Sequence, residues 1–421
     1  MPSDWRAPLT DVGPNSVVGP IAAPGTSRTR VTSVERWLLG AFLRILGEPA
    51  IRMELWDGSG VCGAAGKSLD TVRIWDRRTL LRLLYDPELE FGEAYVDRRI
   101  TVEGDLLRLL QTVFGTPTNP LAVRLLRRTH RPPRRNTLRG SRDNIHNHYD
   151  LGNDFYRLWL DEHMVYTCAY FPTREATLED AQVAKMEHVC RKLALAPGER
   201  VVEAGCGWGA LALYMARHRG VSVRSFNISR EQIAYAREQA RREGLEDRVE
   251  FVADDYRNIS GRYDAFVSVG MLEHVGRDHY GELGRVIDRC LPEHGRGLVH
   301  SLGRNRPQRF NAWMGKYIFP GAHIPSLREM LEILEPHDLS VLDVENLRLH
   351  YARTTAQWLE RFERSADRVA TMFDERFVRA WRLYLASSTA SFLTGSIQLF
   401  QVLFARGRHN DMPRTRAHLY H

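Results

Sequence analysis

Apolar positions along this chain follow two rhythms, and the change from one to the other divides it. In residues 33–46, Val34, Trp37, Leu38, Ala41, Phe42 and Ile45 recur at i, i+3 and i+4, which predicts an amphipathic helix. Most such stripes pack into a core; Trp37 and Phe42 beside Arg36 and Arg44 also suit a helix lying on a lipid surface. Strand-like runs at 51–56 and 71–75, a helical stretch from Arg78 and another at 106–113 predict a small α+β domain over 31–122. Beyond Asp143 the alternation is regular: strand 200–203, helix 210–218, strand 221–226, helix 230–242, strands 249–253 and 265–269, helix 280–290 and strand 297–302. One more strand is expected at 397–404. Alternating β and α units predict a mostly parallel sheet within a domain over 143–421, an α/β architecture.

The first crossover of that sheet reads Val201-Val202-Glu203-Ala204-Gly205-Cys206-Gly207-Trp208-Gly209. Glycines at 205, 207 and 209 let a backbone turn sharply and approach a ligand closely, at the strand-to-helix junction where nucleotide-like cofactors sit. The spacing is neither that of a pyrophosphate loop nor that of a phosphate loop ending in Lys-Ser/Thr. It resembles the first motif of S-adenosylmethionine methyltransferases; a tight turn in some other α/β protein is the plainer alternative. The next strand ends at Asn227 without the acid a dehydrogenase would place there. Asn227 and Gln232 offer uncharged hydrogen bonds to a ribose or methionine moiety, although Ser229 and Gln232 have the spacing of a helix cap. Asp254 and Asp255, at the third strand's end, suit an adenine amino group or simply a turn.

Composition narrows the setting. A hydrophobic fraction of 43% supports real cores, and five scattered cysteines without metal or disulfide spacing favour a reducing, cytoplasmic environment. No apolar run approaches the ~20 residues of a membrane span. Residues 1–30, with five prolines, read as a disordered tail. A basic connector over 123–142 carries Arg124, Arg127, Arg128, Arg131, Arg134, Arg135, Arg139 and Arg142 within a chain of net charge +7. It is either a solvated linker or a dock for an anionic bilayer, each cation being worth roughly 1 kcal/mol there. Aromatic residues are not interleaved with these arginines, which argues against nucleic acid. His146 and His148 lack a third ligand, so no metal site is expected.

Three further segments are more specific: His148-Tyr149-Asp150-Leu151-Gly152-Asn153-Asp154-Phe155-Tyr156, Tyr166-Thr167-Cys168-Ala169-Tyr170-Phe171, and Ser268-Val269-Gly270-Met271-Leu272-Glu273-His274-Val275-Gly276. With Lys316-Tyr317-Ile318-Phe319-Pro320 and the glycine loop, the chain resembles the cyclopropane-fatty-acyl-phospholipid synthases over about 140–405. The resemblance implies a class I S-adenosylmethionine (SAM) methyltransferase with a Rossmann-like sheet. It implies cofactor contacts from Tyr166, Thr167, Glu203, Gly205, Gly207, Gly209, Asn227, Gln232, Asp254 and Asp255. It also implies a bicarbonate ion anchored by the Cys168 backbone, Glu273, His300, the Leu302 backbone and Tyr317, as well as a peripheral place on the inner face of a bacterial membrane and, by analogy, a homodimer.

The chemistry explains such residues. An isolated cis double bond attacks the sulfonium methyl and becomes a carbocation, which must lose a proton for the ring to close. The base must be small, anionic and buried where water cannot add instead. A buried anion needs donors, which His300, Tyr317 and the Cys168 amide supply, while Glu273 accepts or relays the proton. The Tyr317 ring face would also suit the cation. A route that ends in a methylene- or methyl-branched chain uses the same anchors. A small-amine methyltransferase and a non-catalytic lipid-binding protein are the further alternatives.

Overall fold

The computed structural model describes residues 30–63, 70–117 and 151–420. The tail expected over 1–30, apart from Arg30, the arginine connector and the pair His146 and His148 lie outside the described residues. By internal contacts the chain forms two compact units. The first combines the N-terminal region with 311–320 and 358–396, and the second holds the described parts of 151–310, 321–357 and 397–420. Two later segments, 311–320 and 358–396, thus group by contacts with the first unit, beyond the boundary expected at 123–142.

In the first unit, α1 (Ser33–Ile45) starts at a capping box in which the Thr32 hydroxyl accepts from the Glu35 amide and Glu35 accepts from the Thr32 amide at 2.7 Å. Strands β1 (Arg52–Glu54), β2 (Gly60–Cys62), β3 (Thr71–Ile74) and β4 (Ile100–Glu103) form a sheet in the order β2-β1-β3-β4, with only β1 and β3 parallel. Helices α2 (Arg77–Tyr85), α3 (Pro87–Val96) and α4 (Leu106–Gly115) are each capped by an aspartate, at 76, 86 and 105. Leu39, Phe42, Leu43, Met53, Ile74 and Leu80 share its core. Phe42 is 3% exposed and Trp37 64%, so of the two expected interfacial aromatics only Trp37 faces outward.

The second unit is built on a seven-stranded sheet, order β10-β11-β9-β8-β5-β6-β7. Its strands are β5 (Arg200–Ala204), β6 (Ser222–Phe226), β7 (Val249–Val252), β8 (Ala265–Val269), β9 (Arg296–Gly303), β10 (Leu339–Asn346) and β11 (Gln398–Arg406). The five from β7 through β9 are parallel; β11 runs antiparallel to both its neighbours. Both faces are covered, as a parallel sheet requires. Val201, Val223 and Val267 pack on one side among α5 (Leu178–Lys192), α6 (Ala210–Arg219) and α7 (Arg230–Glu243). Val202, Phe266 and Val299 pack on the other with α9 (Tyr280–Cys290), which follows the short helix α8 (Leu272–Val275). Strand order reverses at β5, flanked by β6 and β8, and ligands of doubly wound sheets bind at such a point.

The segments that complete the first unit are α10 (Ala312–Tyr317), which lays Trp313 against Gly92 so closely that a Cβ there would lie 2.3 Å from the ring, and α11 (Glu375–Thr394), packed on α3 and α4. No helix among the described residues is long and apolar enough to cross a membrane.

Candidate functional site

A cleft with about 1070 Å³ of empty volume, its mouth included, opens at the carboxyl ends of β5, β6, β7 and β8. The segment 164–167, Lys185, Glu203, the glycine loop, Asn227, Gln232, 254–256 and 269–271 line it. All the expected cofactor residues are thus gathered on one surface except Gly209, which stands at the start of α6 with φ of +92°. A Cβ at Gly209 would come within 2.7 Å of the Ala236 Cβ, so this glycine serves close packing of helix and strand. Gly207 differs: at φ +52° nothing lies within 4 Å of where its Cβ would be, and its bare backbone faces open space.

Two oppositely charged side chains, Glu203 and Lys185, are buried in the cleft wall. Glu203 is 2% exposed and accepts a hydrogen bond from the Ser225 hydroxyl; burial pushes its carboxyl up to about 7, against the pull of Ser225 and Lys185. Lys185 is equally buried and burial pushes it down to about 8, opposed by Asp161, Cys168 and Glu203. Its Nζ donates to Thr167 Oγ1 at 3.0 Å. Sequence reasoning missed Lys185 and the helix that carries it, although the Thr177/Asp180 capping box marks where that helix starts.

The uncharged pair is braced. Asn227 Nδ2 donates to Gln232 Oε1 at 2.8 Å and to the Gly207 carbonyl at 3.2 Å, while Ser229 caps α7 by accepting from the Gln232 amide. The capping alternative and the cleft position hold together. Asp254 and Asp255 do form a turn: Asp254 accepts from the Asp255 amide at 2.8 Å, and Asp255 pairs with Arg257 at 3.2 Å, while both line the cleft. Tyr166 stacks edge-on against Trp159, with ring centroids 5.2 Å apart.

A second group lies where β8 gives way to α8 and β9 ends. Glu273 Oε1 accepts the Leu302 amide at 2.6 Å, and Oε2 is buried with no partner among the described residues. Burial pushes this carboxyl up to about 7. His300 is buried; its Nδ1 lies 3.0 Å from Gln401 Nε2, and its Nε2 has no partner among the described residues. Burial holds the ring far below the ordinary imidazole range, so it is neutral. His300 and Leu302 share a sheet face by strand alternation. On it Cys168, Leu347 and Leu399 form an apolar cluster against which Leu302, Tyr170 and Tyr351 pack. Burial pushes the Cys168 thiol up, which keeps it protonated and leaves its backbone as the useful part.

Tyr317 belongs to the first unit. Its hydroxyl donates to Glu93 at 2.7 Å and Lys316 Nζ stands 4.7 Å from its ring centroid. The tyrosines packed at the Cys168 cluster are Tyr351 and Tyr170. Among the described residues no group of three or more His, Cys, Asp and Glu is placed to hold a metal ion.

Known proteins bear on this geometry. Residues 136–402 match the family described as mycolic acid cyclopropane synthetase, and residues 39–122 match one described as a domain of unknown function. A probable fatty acid methyltransferase of Pseudomonas putida is 35% identical, over 88% of this chain and 96% of the relative. The cyclopropane-fatty-acyl-phospholipid synthase of Escherichia coli K12 is 42% identical over 63% of this chain and 68% of its own length. Among solved structures, the mycolic acid cyclopropane synthase CmaA1 complexed with SAH and CTAB superposes with a TM-score of 0.60 at 26% identity, covering 63% of this chain and 98% of that one.

Proposed function

The chain belongs to the mycolic acid cyclopropane synthetase family, and on that premise we propose that it transfers a carbon from SAM to the cis double bond of unsaturated phospholipid acyl chains, closing a cyclopropane ring. When bound, SAM supplies an electrophilic methyl group and bicarbonate a small buried base. The cleft suits the cofactor: Lys185 and Glu203 offer opposite charges to a zwitterionic amino-acid end, Asn227 and Gln232 offer hydrogen bonds, and the Gly207 backbone leaves room.

The observation that carries the anion site is the pair of buried polar atoms without partners among the described residues, Glu273 Oε2 and His300 Nε2. Buried polar atoms are nearly always satisfied, so such a pair calls for a small ligand. With Gln401 donating to Nδ1, the ring proton of His300 sits on Nε2 and donates into the site. Glu273 accepts a proton there, and the Cys168 amide is a further donor. We assign to Tyr351 the role expected of Tyr317, because Tyr351 packs at the Cys168 cluster. Apolar walls from Cys168, Leu347 and Leu399 exclude water from a substrate cation. The exposed Val34 and Trp37, with Arg36 and Arg44 exposed on the same helix, support docking on an anionic phospholipid surface.

A branched-chain product remains the second reading, favoured by the description of the Pseudomonas putida relative as a fatty acid methyltransferase. The test is mass spectrometry of lipids after incubation with SAM and monounsaturated phosphatidylglycerol vesicles, before and after mild hydrogenation. A gain of one CH₂ per acyl chain that survives hydrogenation supports the cyclopropane. A gain that then takes up hydrogen moves the assignment to a methylene branch, and no gain on any phospholipid overturns the lipid substrate.

A further inference from the structure

A buried ammonium with a single hydrogen bond is an incomplete arrangement. Lys185 is 2% exposed and lines the cleft; among the described residues its Nζ has only Thr167 Oγ1 as a hydrogen-bond partner and no carboxylate within ion-pair distance. An ammonium has three N–H groups, so two are left. Among the described residues lining the cleft, Lys185 is also the only lysine or arginine, whereas Glu203, Asp254 and Asp255 supply acids elsewhere on its wall. A ligand that carries a carboxylate finds one cationic place in this cleft.

The geometry around Thr167 says how that place works. Because Lys185 donates to Oγ1, the Thr167 hydroxyl accepts on that side and its own O–H is turned away from Nζ. One turn earlier on α5, Gln182 Nε2 donates to the Thr167 carbonyl at 2.9 Å, so a single helix holds this residue by main chain and side chain. On the other side Gly270 leaves no slack: a Cβ there would lie 2.8 Å from Thr167 Cγ2. The hydroxyl is thus fixed in place on the cleft wall.

Resting on the reading of this cleft as the SAM site, we propose that Lys185 is a positioning residue for the carboxylate of the cofactor's amino-acid end, acting by orienting the Thr167 hydroxyl toward it. The pair of residues sets how tightly the amino-acid end is held, and leaves the nucleoside end to the loop glycines, Asn227 and Gln232.

The test is calorimetric binding of two probes, S-adenosylhomocysteine and 5′-methylthioadenosine, which lacks the amino-acid carbons and their charges. Lys185→Met and Thr167→Val should each weaken S-adenosylhomocysteine about tenfold or more, the scale of a hydrogen bond to a charged group. Both should leave 5′-methylthioadenosine within about twofold, and the double variant should bind S-adenosylhomocysteine no worse than Thr167→Val alone. Equal weakening of both probes would show a merely structural lysine and overturn the proposal. So would unchanged S-adenosylhomocysteine binding in either single variant, or effects that simply add. Should Lys185→Met not fold, Thr167→Val with Lys185→Gln reads the same contrast. Wild-type protein that binds neither probe would remove the cofactor site itself and this proposal with it; the acyl-chain reading is judged separately, since no lipid enters the experiment.

Discussion

Gln401 and His300 face each other across the antiparallel pair β11 and β9, and the Gln401 amide nitrogen stands 3.0 Å from His300 Nδ1. An amide N–H there leaves Nδ1 only the acceptor role, which places the imidazole proton on Nε2. Gln401→Leu keeps the volume and frees the tautomer. If His300 holds the proposed anion, turnover should fall about tenfold with S-adenosylhomocysteine affinity unchanged, the scale of a lost orienting partner. Unchanged turnover would mean that the tautomer needs no such lock.

Glu273 bears on stability against pH. Burial raises its carboxyl to about 7, above the ordinary carboxylate value near 4.5, so between those two values the folded state binds more protons than the unfolded one. The stabilisation is complete below the unfolded value and is lost as pH rises through about 7, an effect of up to about 3 kcal/mol. Glu273→Gln removes this titration. Relative to wild type its melting temperature should therefore be higher at pH 8 than at pH 5, and a constant difference across that range would place the titration elsewhere.

The loop glycines should separate folding from binding. Gly209→Ala meets both a left-handed φ and atoms at 2.7 and 2.8 Å on Ala236 and Phe251, and should cost roughly 2–4 kcal/mol in chemical denaturation. Gly207→Ala should cost only about 1 kcal/mol of stability. Its methyl group would enter the open cleft, so S-adenosylhomocysteine binding should drop while the fold persists.

On α1 the two aromatics should divide in the same way. Phe42→Ala, in the core, should destabilise by about 3–5 kcal/mol. Trp37→Ala should leave stability within about 0.5 kcal/mol and weaken sedimentation with phosphatidylglycerol vesicles several-fold. Equal vesicle binding by wild type and Trp37→Ala would take this helix out of the membrane contact.

Tyr351→Phe should lower turnover about tenfold without loss of stability, given its place at the Cys168 cluster. Tyr317→Phe removes the hydroxyl bonded to Glu93, and its effect should be read in the melting of the first unit. If Tyr317→Phe alone abolished turnover, the assignment of Tyr351 would fall.

The strands were legible because β5, β6, β8 and β9 are buried on both faces and bounded by turns, so their apolar runs stand out whatever the tertiary context. Helix α5 was hidden because polar residues share its buried side with Met186, Val189 and Cys190: Gln182, Lys185, His188 and Lys192 break the apolar period that marks a core helix. Strand β10 was missed because it is a sheet edge whose residues are mostly exposed or half-buried. The loop that carries Glu203 to Gly209 shows its purpose locally, through backbone demands that only glycine meets. Lys185, Gln401 and Tyr351 owe their places to packing between distant segments, which no local pattern records.

The return of residues 311–320 and 358–396 to the first unit has a consequence for how the chain is made. Helix α11, on which Phe377, Trp381 and Tyr384 are buried, packs on α3 and α4. During synthesis residues 87–115 therefore emerge long before residues 375–394, and the apolar face they form has no cover until α11 has followed.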